Sequence, residues 1–214
     1  MIFDKGDTVL FTGDSITDCG RRRPLGEKDG LGNGYVNFLC GMLYAGYPDR
    51  VLRVLNTGIS GNRITDLDSR WQWDVIDLKP DWLSVFIGIN DVFFRFNRPD
   101  LSPQVTPDIY HDTYSRLIGS VKGSLKGLIL ATPYILETDK QDPIRARMDE
   151  CGKAVKDLAE KNGAILVDVQ QAFDDFMEQR PDFSLAADRV HPNPTGHFII
   201  ARAFLQAFGY NWKG

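Results

Sequence analysis

Short apolar runs rich in β-branched residues recur along this 214-residue chain with stretches of helical length between them, and that alternation constrains the fold more than any other feature. Five runs read as buried strands: Thr8–Thr12, Val51–Leu55, Trp82–Ile87, Gly127–Ala131 and Ala164–Asp168. Helical pattern and length occupy 33–47, 65–78, 107–123, 143–162, 169–179 and 194–208. Strand and helix alternate throughout, which implies parallel strands joined by right-handed crossovers with helices on both faces. The expected architecture is therefore α/β, a three-layer α/β/α sandwich around a five-stranded parallel sheet. No internal repeat, low-complexity linker or shift in composition marks a second domain, so one domain over 1–214 is expected. The stretches 20–34, 88–107 and 133–143 read as its loops. Open parallel sheets bind ligands outside the C-terminal ends of their strands, and functional residues are expected in the loops that leave those ends.

Composition excludes several functions. A formal net charge of −4 argues against nucleic-acid binding, which needs a clustered surplus of Lys and Arg. The one basic run, Arg21, Arg22 and Arg23, is short and reads as a solvated loop. Charges at Asp4, Lys5 and Asp7 interrupt the place where a secretory signal would be apolar, and no stretch approaches the roughly 18 apolar residues that span a membrane. Cys19, Cys40 and Cys151 are odd in number and widely spaced, which suggests neither a disulfide framework nor a zinc site. A reducing, cytoplasmic setting is expected, with no membrane, nucleic acid, metal or cofactor involved.

Polar clusters sit where the fold predicts a crevice. The first strand runs into Gly13-Asp-Ser-Ile-Thr-Asp18, the second into Asn56-Thr-Gly-Ile-Ser-Gly61 and the third into Gly88-Ile-Asn-Asp91, and a fourth cluster follows at Asp188-Arg-Val-His191. In these four ordered blocks the chain resembles the SGNH (GDSL-type) hydrolase family, whose blocks supply Ser, Gly, Asn and His in that order. The resemblance spans Ser15 to His191 and implies the flavodoxin-like fold of that family together with serine esterase activity.

Chemistry asks for the same residues. A serine hydroxyl needs a base to take its proton as it attacks, and histidine, with an ordinary pKa of about 6.5, suits that task. Ser15 is the candidate nucleophile and His191 its base. Asp188, three residues upstream, can reach the other ring nitrogen within one loop, fix the tautomer and stabilise the imidazolium. Donors aimed at the developing oxyanion are commonly worth about 3–4 kcal/mol each. The resemblance carries that role to the backbone N–H groups of Ser15 and Gly58 and to the side-chain amide of Asn90.

Taken singly, each residue has a blander reading. A serine after a strand usually caps the next helix, and Asp14 or Thr17 could do the same. Gly58 and Asn90 alone would be turn or cap residues. Their joint occurrence in order favours the site. His111, beside Asp108 and Asp112, and His197, in the last helix, lack an upstream carboxylate within a loop and read as structural. Trp71 and Trp73 read as helix packing, while Phe93, Phe94 and Phe96 follow the Asn90 block and fit either the crevice wall or a subunit contact.

Competing classes fit less well. An α/β-hydrolase elbow needs Gly two residues after the serine, where Thr17 stands. Gly30-Leu-Gly-Asn-Gly34 has the wrong spacing for a dinucleotide fingerprint. An aspartate-dependent phosphatase built on Asp14 would want an acid at position 16, which is Ile; a non-catalytic carbohydrate-binding module would not need a base paired with a carboxylate. Within the family, the wording of Gly13–Gly20, Gly88–Val92, His191–His197 and Ile200–Phe204 is similar to the intracellular acetyl-xylooligosaccharide esterases, which implies deacetylation of small-molecule or oligosaccharide sugar esters. Lysophospholipase, thioesterase and platelet-activating-factor-acetylhydrolase-like relatives share the four blocks, and the blocks do not choose among them. Relatives in the family assemble, and the aromatics near Phe93 leave room for a homo-oligomer.

Overall fold

In the computed structural model, which describes residues 1–98, 100 and 103–212, the strands are β1 (Thr8–Gly13), β2 (Gly26–Glu27), β3 (Arg53–Asn56), β4 (Trp82–Phe86), β5 (Gly127–Ala131) and β6 (Ile165–Val167). The five expected strands all form and pair in parallel, in the lateral order β3-β1-β4-β5-β6. The sheet has six strands, not five. The extra strand, β2, lies within the expected loop 20–34 and pairs antiparallel with β3, Gly26 opposite Asn56 and Glu27 opposite Leu55. Two residues carry no periodicity that a sequence could display, and their pairing is decided by tertiary contact. It also covers the open edge of β3.

After β1 the chain moves outward to β3, then returns across β1 to add β4, β5 and β6 in turn. The order therefore reverses at β1. The loops leaving β1 and β4 diverge there, and in open α/β sheets that divergence opens the ligand crevice.

The helices are α1 (Ser15–Asp18), α2 (Tyr35–Gly46), α3 (Ile64–Ser69), α4 (Ile89–Asn97), α5 (Pro107–Val121), α6 (Pro143–Asn162), α7 (Val169–Gln179) and α8 (Pro194–Ala207). Successive side chains of a strand point to opposite faces, and the central strands supply both layers in that way. Leu10, Leu83, Val85, Leu128 and Leu130 join one buried cluster with residues of α3, α5 and α6. Val9, Phe11, Phe86, Ile129 and Ala131 join the other with residues of α2, α7 and α8. Capping explains where several helices begin. Asp142 accepts from the N–H groups of Ile144 and Arg145 ahead of Pro143 in α6, and Asn193 accepts from Gly196 N–H ahead of Pro194 in α8.

Two expectations change. The stretch 88–107 is not all loop, because α4 starts at Ile89 directly after β4 and places Asn90 in its first turn; positions 99, 101 and 102 of that stretch lie outside the described residues. The stretch 65–78 is not one helix either: α3 ends at Ser69 and a π-helical turn covers Gln72–Ile76. This break separates the two tryptophans expected to pack. Trp71 is buried and donates its indole N–H to Ser120 Oγ at 3.0 Å, whereas Trp73 is 63% exposed. His111 lies on α5 with its Nδ1 3.1 Å from Asp112 Oδ1, far in role from the polar blocks.

Phe204 of α8 holds the second cluster together. Its ring is fully buried, stacks on Tyr35 at 5.2 Å and meets Phe11 at 5.9 Å and Phe208 at 5.9 Å. Truncation would lose the transfer energy of the ring and leave a cavity that its rigid neighbours cannot close. Phe204→Ala is expected to cost about 3–5 kcal/mol, read from the shift of the urea unfolding curve.

Candidate active site

Strand β1 delivers Ser15 to the switch point. Asp14 is the N-cap of α1 and its Oδ1 accepts from Ile16 N–H at 3.0 Å. The capping role that position 15 could have taken is thus filled one residue earlier, and the Ser15 hydroxyl is left to make another contact. Its Oγ lies 3.0 Å from Nε2 of His191, 176 residues away in the chain. Asp188 holds the other end of that ring: its Oδ2 is 2.6 Å from His191 Nδ1, and its Oδ1 accepts from the N–H groups of Val190 at 3.0 Å and His191 at 2.8 Å. An ionised carboxylate only accepts hydrogen bonds, so Nδ1 carries the proton and Nε2 turns its lone pair toward Ser15. Partial burial works to raise the Asp188 pKa, but the His191 ring and the two backbone donors outweigh it and hold the group at about 2.

Residues Ser15, Asp188 and His191 are therefore brought together by the structure as the sequence expects. Asn90 lies in the first turn of α4, beyond the strand that pairs with β1, and its Nδ2 donates to the Asn62 carbonyl at 3.0 Å, which orients the amide and leaves its second hydrogen available. Gly58 is different. Its N–H donates to Asn56 Oδ1 at 2.9 Å, so the donor that the sequence assigned to an oxyanion is already committed. A Cβ at Gly58 would stand 2.5 Å from Asp18 N, and the residue serves close packing of its loop against α1. The next glycine, Gly61, has φ +81 with open space where a Cβ would project, and its N–H has no hydrogen-bond partner among the described residues.

The loops are fastened by groups that sequence reasoning passed over. Asn56 donates its amide to the carbonyls of Thr17 at 2.7 Å and Leu31 at 2.9 Å while accepting from Gly58, which ties three segments to one side chain. Arg70 is buried and donates to the carbonyls of Gly13 at 2.9 Å and Thr57 at 2.7 Å, to Asn62 Oδ1 and to Asp74. The basic run is not simply a solvated loop. Arg22 is exposed, but Arg21 is buried with Nε donating to the Gly58 carbonyl at 2.7 Å. Arg23 donates to the same carbonyl at 3.2 Å and to Asp18 Oδ2 at 2.5 Å. Clustered charge next to a serine block was the available signal; its partners, backbone carbonyls of a remote loop, leave no trace in a sequence.

His197 is structural, as expected, though it stands close to the site. Its Nδ1 accepts from Tyr35 N–H at 3.2 Å and its Nε2 lies 3.5 Å from Cys19 Sγ, which braces the end of α1 against α2 and α8. Burial, helped by the charge of His191, pushes its pKa down to about 4, so the ring stays neutral. Among the described residues, no group of three or more His, Cys, Asp or Glu side chains could hold a metal ion.

Two further acids lie under the site in the opposite electrostatic condition to Asp188. Burial pushes both Asp14 and Asp91 up to about 7, and the proximity of Asp91 adds to the effect on Asp14. Asp91 Oδ1 accepts from Ile64 N–H at the start of α3, while its buried Oδ2 has no partner among the described residues. A carboxyl whose pKa rises on folding stabilises the fold fully below its unfolded value near 4, and that contribution is lost as pH climbs through about 7. In Asp91→Asn the stability advantage of the parent protein is expected to shrink by a few kcal/mol between pH 4 and 8, measured by urea unfolding at each pH. A pH-independent difference would remove Asp91 as the cause.

Comparison with known proteins agrees with this geometry. A profile of the GDSL-like Lipase/Acylhydrolase family matches residues 11–199. The acetylxylan esterase of Geobacillus stearothermophilus is 46% identical over 215 residues, covering 99% of this chain and 98% of that protein. Its crystal structure, of the enzyme Axe2, superposes with a TM-score of 0.95 over 99% of this chain and 98% of the other. Structures of catalytic mutants of Axe2 in which a serine, an aspartate or a histidine is replaced by alanine are equally similar, at 45% identity. LAE5, an alpha/beta hydrolase enzyme from the metagenome of Lake Arreo in Spain, matches at a TM-score of 0.93 and 43% identity, with 98% of each chain covered. A family match over most of the chain and this degree of identity along its whole length place the protein in the GDSL-like lipase/acylhydrolase family.

Proposed function

We propose that the protein is a serine carboxylesterase that removes acetyl groups from sugar esters such as acetylated xylooligosaccharides, through an acetyl-enzyme on Ser15. The observation that carries this reading is the continuous Ser15–His191–Asp188 contact, at 3.0 and 2.6 Å, in a chain 46% identical from end to end to an acetylxylan esterase. The three residue types replaced in the catalytic mutants of that relative are the same three.

The geometry supports the following steps. Ser15 Oγ attacks the acetyl carbonyl as His191 Nε2 takes its proton, and Asp188 stabilises the imidazolium by accepting from Nδ1–H. His191 then protonates the departing sugar oxygen. Water enters, loses a proton to the same nitrogen and attacks the acetyl-enzyme, which releases acetate and restores Ser15. For the tetrahedral oxyanion the reading uses the N–H of Ser15, the second hydrogen of the Asn90 amide and the N–H of Gly61. Gly61 replaces Gly58 in that role because the N–H of Gly58 is held by Asn56.

No helix among the described residues is long and apolar enough to cross a membrane. The reading includes action in the cytoplasm, supported by the odd number and wide spacing of the cysteines. It also includes self-association, for which the exposed rings of Phe96 and Phe198 supply apolar surface.

Ser15→Ala and His191→Ala are each expected to lower kcat by at least about 10³-fold with the fold intact, assayed on acetylated xylooligosaccharides and on p-nitrophenyl acetate. Because Asp188 stays ionised down to about pH 2, the acid limb of kcat/KM above that pH should have a slope of one; a limb of slope two would assign a second essential group. Across p-nitrophenyl esters, kcat/KM should be highest for acetate and fall as the acyl chain lengthens. A preference for long chains would transfer the reading to a lysophospholipase or thioesterase.

A further inference from the structure

The imidazole has to be held within reach of a hydroxyl from the other end of the chain, yet the loop that carries it, Asp188 to His191, belongs to neither a helix nor a strand. We infer that Arg189 is the positioning residue of this loop, anchoring it through an ion pair to the connection between β5 and α6 so that His191 meets Ser15. This rests on the esterase reading above and adds a residue to it.

Four contacts carry the inference, all from the same connection. Tyr134 Oη donates to the Val190 carbonyl at 2.8 Å, and Leu136 N–H donates to the Arg189 carbonyl at 2.9 Å. Arg189 Nη2 lies 2.8 Å from Glu137 Oε2 and 3.1 Å from Asp142 Oδ1. Its Nε and Nη2 are shielded from solvent and make no well-directed hydrogen bond, so the attachment is ionic and not a geometric lock. Asp142 is also the N-cap of α6, which roots this anchor in a 20-residue helix. The backbone adds a second indication. Arg189 has φ +66, a conformation that residues with a Cβ avoid unless their surroundings impose it. A glycine would adopt it freely, yet the position carries a long cation whose charge is met by two carboxylates. Nothing in the Ser15–His191–Asp188 contact itself involves the guanidinium, which makes the role one of placement.

Misplacing a catalytic group by about 1 Å can cost roughly 100-fold in rate, while substrate binding on the Ser15 side is left alone. In the full chain, Arg189→Ala is expected to lower kcat on p-nitrophenyl acetate by about 10- to 100-fold with KM within about twofold. Arg189→Lys should recover part of the loss, and the double variant Glu137→Gln with Asp142→Asn should reproduce it. Proton NMR supplies a readout that a general loss of stability would not move: the downfield resonance of the His191 Nδ1 proton should broaden or vanish in Arg189→Ala at temperatures where circular dichroism is unchanged. If Arg189→Ala does not fold, Arg189→Gly, which relieves the positive φ while still lacking the cation, takes its place with the same expected kinetics. Parental kcat in Arg189→Gly, or a lowered kcat with the His191 resonance sharp and unshifted, overturns the inference. Full activity in Ser15→Ala sinks the esterase reading itself, whereas an inert Ser15→Ala beside a fully active Arg189→Gly sinks only the anchor.

Discussion

Backbone carbonyls at the ends of parallel strands enter a crevice that is partly closed to water, and each of them needs a donor. In this protein long side chains rooted elsewhere meet much of that requirement. Arg70 serves Gly13 and Thr57, Asn56 serves Thr17 and Leu31, and Arg21 with Arg23 serves Gly58. These donors add to the direct bonds between the loops after β1 and β3, in which Ile59 N–H donates to the Gly13 carbonyl and Ser60 N–H to Asp18 Oδ2. With them, the loop after β3 is fastened to the segment that carries Ser15. The same groups explain why so much of the polar machinery at the site never touches a reacting atom.

Electrostatic conditions within the site are sharply divided. Asp188 sits near the surface, accepts three hydrogen bonds and stays ionised, while Asp14 and Asp91 are enclosed and resist ionisation. The charged member is the one placed against the imidazole. The enclosed acids instead accept backbone N–H groups at the first turns of α1 and α3, a role a carboxyl fills in either protonation state. Residue type alone therefore says little about which aspartate stays ionised; what decides it is access to water and the number of donors.

The layered architecture was legible because buried parallel strands are short, continuous apolar runs, and all five of them pair as expected. β2 was not, since two residues stabilised by one neighbouring strand have no pattern of their own. The convergence of Ser15, His191 and Asp188 was legible from chemistry and order. The Gly58 assignment failed for an instructive reason: two glycines stand three residues apart in one loop, and only the direction of Asn56 Oδ1 tells which N–H is occupied. Arg21 was misread because charge runs usually face solvent, as Arg22 and Arg23 do, and the carbonyl that recruits it is 37 residues distant.

The contact between Ser15 and His191 bridges 176 positions of sequence. Synthesis therefore exposes the hydroxyl long before the imidazole. A growing polypeptide that has not reached position 191 holds Ser15 without that partner. The contact can close only after the intervening strands and helices have been made, so it forms late relative to the first strand.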